Sequence, residues 1–419
     1  MSEQRNIVIL GASFGGIPTT HYILKHILPP LKAKNDAKYH VYLIDRSSDW
    51  YFRIASPRAG ASIALMPKEK LLYDIPTIFK QYSTNDFTFI EASITSLDTA
   101  ERTVSYKKSE SLRDERLSYH ALIVATGSKT HDPVYSMHTD SKATMDAIHT
   151  MNRQVSTAKS IIIVGGGATG VESAGEIGEF LNGKPGWFSQ PTPKARITII
   201  TASSQLLPEL RLAIGKTAEE KLKKLGVDVV YNTRVVDVAT TESGRTTVTL
   251  AKGEKLEADL YIPANGLIPN SSFLPPALLN PAGYLVTNPK TLRVDAAGPR
   301  IYAVGDIASH SNHTAIQITA SLPTLLVNLK RDLFAFNPAF PGEKPKGKDR
   351  EFKPSTKEML TVPIGSAGGV GAIFGWRVPN WFVWMVKARD YLTGLLVPGY
   401  LTGDVVKKEF KWSREESVV

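Results

Sequence analysis

Short hydrophobic runs recur along the chain, each closed by polar or glycine-rich residues. They lie at 7–10, 40–44, 87–90, 121–124, 161–164, 197–200, 227–230, 259–262 and 301–304. Runs that are apolar at consecutive positions predict strands covered on both faces, as in a parallel sheet. The segments between them read as helices, so the chain predicts successive βαβ units. Two stretches break this pattern. Residues 102–119 set TVSYKK and RLSYH around a charged SESLRDE turn, which predicts an antiparallel hairpin. A second hairpin, expected around 234–250, holds the same place in a second unit. The order of elements therefore repeats after about 155 residues.

Glycine sits where each unit leaves its first strand. The second unit reads IIIVGGGATGVESAGEIGEF at 161–180, with Gly165, Gly167 and Gly170 at G-x-G-x-x-G spacing and Thr169 inside the turn. Backbone N–H groups of such a turn, with the helix that follows, cradle a pyrophosphate. The first unit reads IVILGASFGG at 7–16. It keeps Gly11, Gly15 and Gly16 but has Ser13 where the central glycine belongs. Alone, that stretch fits a cofactor turn or an ordinary strand–turn–helix equally well.

Further turns extend the pattern. LIVATGS at 122–128 puts Ala125, Thr126 and Gly127 at a strand end, and RIYAVGDIA at 300–308 ends a strand in Gly305-Asp306. That aspartate could face a ribityl hydroxyl or a phosphate-side water. Asp45, followed by Arg46 in VYLIDRSS, suits an adenosine ribose. The second unit has Thr201, Ala202, Ser203 and Ser204 where such an acid would stand. Those hydroxyls could accept a 2′-phosphate; equally, small residues tolerate either nicotinamide cofactor. Gly266 completes the set of candidate cofactor-binding residues.

Composition narrows the chemistry. The 419 residues include no cysteine, which excludes a disulfide scaffold, a thiolate metal site and a C-x-x-C redox pair. His310 and His313 lack further ligands at metal spacing, so no metal is expected. The net charge of +10 is spread out. Its densest stretch, EKPKGKDREFKP at 343–354, reads as a solvated linker, and no nucleic-acid partner is expected. The N-terminus shows no apolar or Arg-rich leader. No stretch reads as a membrane span, so a cytoplasmic protein is expected.

The four motifs in this order resemble the two-dinucleotide flavoprotein family of pyridine-nucleotide oxidoreductases, from residue 5 to about 330. The resemblance implies an α/β fold of the glutathione-reductase type, with two Rossmann-like dinucleotide-binding domains and a C-terminal element. FAD would occupy 1–130 and 265–335, NADPH or NADH 131–264, and 336–419 would form a linker and an acceptor or membrane-interface element. VGGGATGVESAGEI, with MVKARDYL at 385–392, resembles the ferroptosis-suppressor, apoptosis-inducing-factor-like branch, itself similar to type II NADH dehydrogenases. That implies hydride transfer from NAD(P)H through flavin to a quinone-type acceptor, with no redox disulfide.

Glu172 would reach the nicotinamide or flavin edge, and Lys387 would project toward flavin and acceptor. The plain readings are a carboxylate on a helix dipole and a cation snorkelling from a helix. Ser13 departs from the branch, and DWYFRIASPRA at 49–59 matches it only loosely, so the substrate pocket stays open. Two other functions fit the same residues: a tailoring oxidoreductase acting on an aromatic metabolite, and an apoptosis-inducing-factor-like DNA-binding protein.

Two helices complete the reading. Asn312 or His313 is expected to start HTAIQITASLPTLLVNL, whose first N–H groups would face the flavin. Pro379-Asn380 is expected to start a tail helix with Trp381, Trp384, Met385, Ala388 and Leu392 along one side. Arg377, Lys387, Arg389 and Lys407 add positive charge. Such a stripe suits a core layer or a peripheral membrane contact. The last 60 or so residues read as a separate element. The oligomeric state is not legible.

Overall fold

The computed structural model describes residues 3–111, 113–184, 186, 192–241 and 244–418. Two parallel sheets are built to one plan. In the first, strand Gln4–Leu10 lies between Lys38–Asp45 and Ala121–Val124, with Phe87–Glu91 and Ile301–Ala303 at the edges. In the second, Ser160–Val164 lies between Arg196–Ile200 and Leu260–Pro263, with Val227–Val230 outermost. All nine expected strands form. A three-stranded antiparallel meander, 93–118 or 235–258, is inserted in each unit before strand Ala121–Val124 or Leu260–Pro263, with a bulge early in its first strand. The fold is α/β, as expected.

Alternation explains the hydrophobic runs. Ile7 and Ile9 face one core while Val8 and Leu10 face another, and Ile161/Ile163 divide from Ile162/Val164 in the same way. The helices that frame the site are α1 (Gly16–Tyr22), α2 (Ser56–Ala61), α3 (Ala168–Asn182), α4 (Ala315–Phe334), α5 (Asn380–Val383) and α6 (Thr393–Thr402). The cap of α4 is Thr314, whose hydroxyl accepts the Gln317 N–H at 3.2 Å, rather than Asn312 or His313.

The C-terminal element is not separate. Its antiparallel strands Leu360–Pro363, Gly369–Ile373 and Trp376–Arg377 form one sheet, the first leaning on α3 and the second on the helix Leu212–Lys223. Val362, Ile364, Val370, Tyr391, Val397 and Tyr400 belong to the main core shared by both units. Tyr400 stacks on Trp50 with centroids 4.9 Å apart and meets Phe14 edge-on at 5.6 Å. The basic linker is largely exposed, yet it is held. Asp349 bridges Arg293 and Arg331, Arg350 pairs with Glu416, and Phe352 is buried.

The expected tail helix is also shorter. After α5 the chain makes a π turn, Trp384–Ala388, and then breaks where Tyr391 and Leu392 adopt left-handed backbone. Trp381, Trp384 and Met385 are exposed while Lys387 and Ala388 are buried, so the stripe divides between solvent and interior. Deleting residues 360–419 strips a layer from a shared core. A chain without a cooperative melting transition is the expected result; a truncated protein that melts like the whole one contradicts this packing.

Candidate active site

The two glycine turns share one geometry. Gly11 and Gly165 have φ of +102° and +129°, and a Cβ on either would stand 2.4 Å from the carbonyl oxygen of Ala125 or Ala264. A Cβ on Gly16 or Gly170 would lie 1.8 or 2.0 Å from the carbonyl oxygen of Gly11 or Gly165. These four are required by the backbone itself. The central position is different: around Gly167 a Cβ would meet nothing within 4 Å. That glycine answers to a ligand's approach rather than to the fold, so Ser13 costs the first turn nothing in folding.

A cavity of about 800 Å³ opens beside the first turn. That is the upper end of the range for ligand sites. Gly11, Ser13, Gly15, Asp45 and Arg46 line it, as do Ala125, Thr126, Gly127, Gly305 and Asp306. Thr169, Glu172 and Lys387 close it from the second unit and the tail. Thirteen candidate residues, scattered through the sequence, therefore meet at one space. Gly16, Gly165, Gly167, Gly170, Thr201, Ser203 and Gly266 lie outside its wall. Thr201 is buried and accepts the Ser203 N–H, leaving Ala202 and Ser204 exposed.

The cradle has spare donors. The N–H groups of Ser13, Phe14 and Gly15 find no partner among the described residues, although backbone donors are normally satisfied. Asp45 takes the Ala12 N–H at 2.6 Å; burial pushes its carboxyl above the usual range against that bond. Asp306 accepts the Ser128 hydroxyl at 2.8 Å, with Arg53 at 3.8 Å and His313 at 3.7 Å. Burial alone would raise its pKa, but His313, Arg53 and Ser128 outweigh that and hold it below the usual carboxylate range.

On the opposite wall, Lys387 Nζ donates to Glu172 Oε1 at 2.5 Å and to the Thr361 carbonyl at 3.3 Å. Burial raises the Glu172 pKa, an effect Lys387 only partly offsets. The π turn carries Lys387 inward, a backbone irregularity common at functional sites. Behind this pair, Arg58 and Tyr391 hold Glu176. Sequence reasoning missed Ser128, Arg53, Arg58, Glu176 and Tyr391. The visible signal was the Glu172–Glu176 spacing, two acids one turn apart on a helix that must be answered by cations.

Comparison with known proteins decides the family. The profile of the pyridine nucleotide-disulphide oxidoreductases matches residues 5–321. The chain belongs to that family. It is a pyridine-nucleotide-dependent flavin oxidoreductase that binds FAD and NAD(P)H. Oxidoreductase phnG of Penicillium herquei is 42% identical over 401 residues, 93% of this chain and 94% of that one. Oxidoreductase ptaL of Pestalotiopsis fici is 31% identical, covering 94% and 98%. Human ferroptosis suppressor protein 1 is 25% identical, covering 93% and 94%. Among solved structures, NDH2 from Plasmodium falciparum in complex with NADH superposes with a TM-score of 0.65 at 18% identity, covering 96% and 98%. That likeness shows a shared fold. The suspected branch is thus supported, and the family's disulphide has no counterpart in a chain without cysteine.

The glycine arithmetic yields a test. Ser13→Gly should leave flavin content unchanged, whereas Gly11→Ala and Asp306→Ala should each release FAD. The flavin-to-protein absorbance ratio after gel filtration reads this directly. Full retention of FAD by Asp306→Ala contradicts the assignment.

Proposed function

We propose that the protein is an FAD-dependent NAD(P)H:acceptor oxidoreductase whose acceptor is a quinone-type carbonyl compound. FAD belongs to 1–130 and 265–335, NAD(P)H to 131–264. The observation that carries the reading is the Lys387–Glu172 pair, set in the wall of the same cavity as Gly11 and Asp306. Bound FAD supplies the relay of two electrons between nicotinamide and acceptor.

The residues of the chain do the rest. The spare amides of Ser13, Phe14 and Gly15, with Arg46 and Arg53, answer the charge of a diphosphate. Ser128 and Asp306 take ribityl hydroxyls. The Lys387 ammonium opposes negative charge that develops on the acceptor's carbonyl oxygen. Glu172, whose carboxyl burial pushes above the usual range, accepts a hydrogen bond from that ammonium and holds it in the cavity wall. No carboxylate stands at Thr201–Ser204, so NADPH meets no repulsion there and should serve at least as well as NADH.

The C-terminal element carries Trp376, Trp381 and Trp384 at 79%, 62% and 44% exposure, with Arg377 and Arg389 close by in the chain. Among the described residues no helix is long and apolar enough to cross a membrane. Exposed tryptophans beside cations suit the surface of an anionic bilayer, where a lipid-soluble quinone is collected. Trp381→Ser/Trp384→Ser should weaken sedimentation with vesicles containing phosphatidylglycerol. Unchanged sedimentation argues against this contact.

The function itself is tested anaerobically. The protein should carry about one FAD per chain, and about one equivalent of NADPH should bleach it, since no dithiol shares the electrons. A soluble benzoquinone should then restore the colour within the mixing experiment. Flavin that NADPH reduces but the quinone leaves reduced overturns the acceptor assignment.

A further inference from the structure

Glu172 and Glu176 stand one turn apart on the same face of α3, at 4% and 3% exposure. Like charges at that spacing repel, and burial makes each more costly. The chain answers them with cations from two distant places. Lys387 comes from the C-terminal element to Glu172 at 2.5 Å. Arg58 comes from α2 and donates from Nε and Nη2 to the two oxygens of Glu176, at 2.9 and 2.8 Å. Its remaining arm reaches the Arg389 carbonyl at 3.3 Å.

Tyr391 ties the two pairs together. It lies one turn beyond Lys387 and donates its hydroxyl to Glu176 at 3.0 Å. Its ring sits 4.7 Å from the Arg58 guanidinium and 5.9 Å from Lys387 Nζ. Its backbone is left-handed, with φ of 54°, unusual for an aromatic residue and sustained only where surrounding contacts fix it. Arg58, Glu176 and Tyr391 do not line the cavity, so no contact with cofactor accounts for them.

We propose that Arg58, Glu176 and Tyr391 are positioning residues that lock the C-terminal turn against both dinucleotide units and set the charge state of the Lys387–Glu172 pair facing the acceptor. This rests on the reading of Lys387 and Glu172 given above. With all four ionised, the two acids and two cations balance. Without Arg58, two carboxylates share one ammonium, and Glu172 holds its proton to higher pH. Without the Glu176 charge, the surplus is positive and Glu172 releases its proton at lower pH.

Among the described residues, few other charges face the cluster. Glu179, on the same helix, pairs with Lys184 at 3.6 Å. Arg389 and Asp390 pair with each other at 3.5 Å beside the turn. The Tyr135 hydroxyl is reached only through Ser173, at 2.9 Å.

The test follows reoxidation of the pre-reduced holoenzyme by a soluble benzoquinone across pH. Arg58→Gln should move the limb of the profile up by about one pH unit and Glu176→Gln down by about as much, with Arg58→Gln/Glu176→Gln returning near the original. Arg58→Lys keeps the charge but loses the two-armed grip, so the limb should stay while the rate falls several-fold. Infrared spectra of carboxyl-labelled glutamate should show a protonated carboxyl in Arg58→Gln at neutral pH, but not in Glu176→Gln. If Arg58→Gln does not fold, Tyr391→Phe should move the limb the same way by less. Shifts in one common direction, or no shift with only a lower melting temperature, overturn the proposal. Glu172→Gln separates it from its premise. Unchanged reoxidation in that variant removes the acceptor reading; slowed reoxidation, with the Arg58 and Glu176 variants like the parent, removes only this inference.

Discussion

An ammonium and a carboxylate taken out of water together lose several kcal/mol of hydration each. Only contact distance and further hydrogen bonds recover it, and removing one partner strands the other. Lys387 and Glu172 meet at 2.5 Å across 215 residues of sequence. That pairing fixes where the C-terminal element must lie. The π turn after α5 carries Lys387 inward to it, and the Thr361 carbonyl accepts from the same ammonium at 3.3 Å. Both residues stand in the wall of the same cavity as Gly11 and Asp306. A charged wall kept from water is worth more to a developing negative charge than the same lysine on a surface.

The rest of the molecule is a scaffold used twice. Each unit runs strand, glycine turn and helix, with its late strand beside the first. The gap between those two strands is where open α/β sheets take their ligands. Gly11 against Ala125 and Gly165 against Ala264 repeat that gap with the same 2.4 Å approach. This explains how one glycine of a three-glycine pattern can be missing. The outer two are demanded by backbone that crosses backbone, and the middle one only by a bound group.

The sheets, the turns and the carboxylate of Asp306 were legible in the sequence because each depends on local patterning: consecutive apolar residues, a glycine of positive φ, an acid at a strand end. The tail was legible only in part. Its hydrophobic content could not say which residues joined the core, because Tyr400 packs on Phe14 and Trp50 from more than 300 residues away. Arg58 and Glu176 carried no local signal for their pairing, being 118 residues apart and drawn together only when α2 crosses α3. The tail helix expected from Pro379-Asn380 through Leu392 is interrupted, since no propensity announces a π turn or the left-handed break at Tyr391.

The central claim is that Lys387 serves the acceptor side of the cavity. The most direct measurement compares the two half-reactions of Lys387→Ala in a stopped-flow instrument. Reduction by NAD(P)H should stay within about twofold of the parent, while reoxidation of the pre-reduced enzyme by a soluble quinone should slow by a factor of 10² or so, the scale of removing one preorganised donor. Reoxidation at the parent's rate, or an equal loss in both half-reactions, would contradict it.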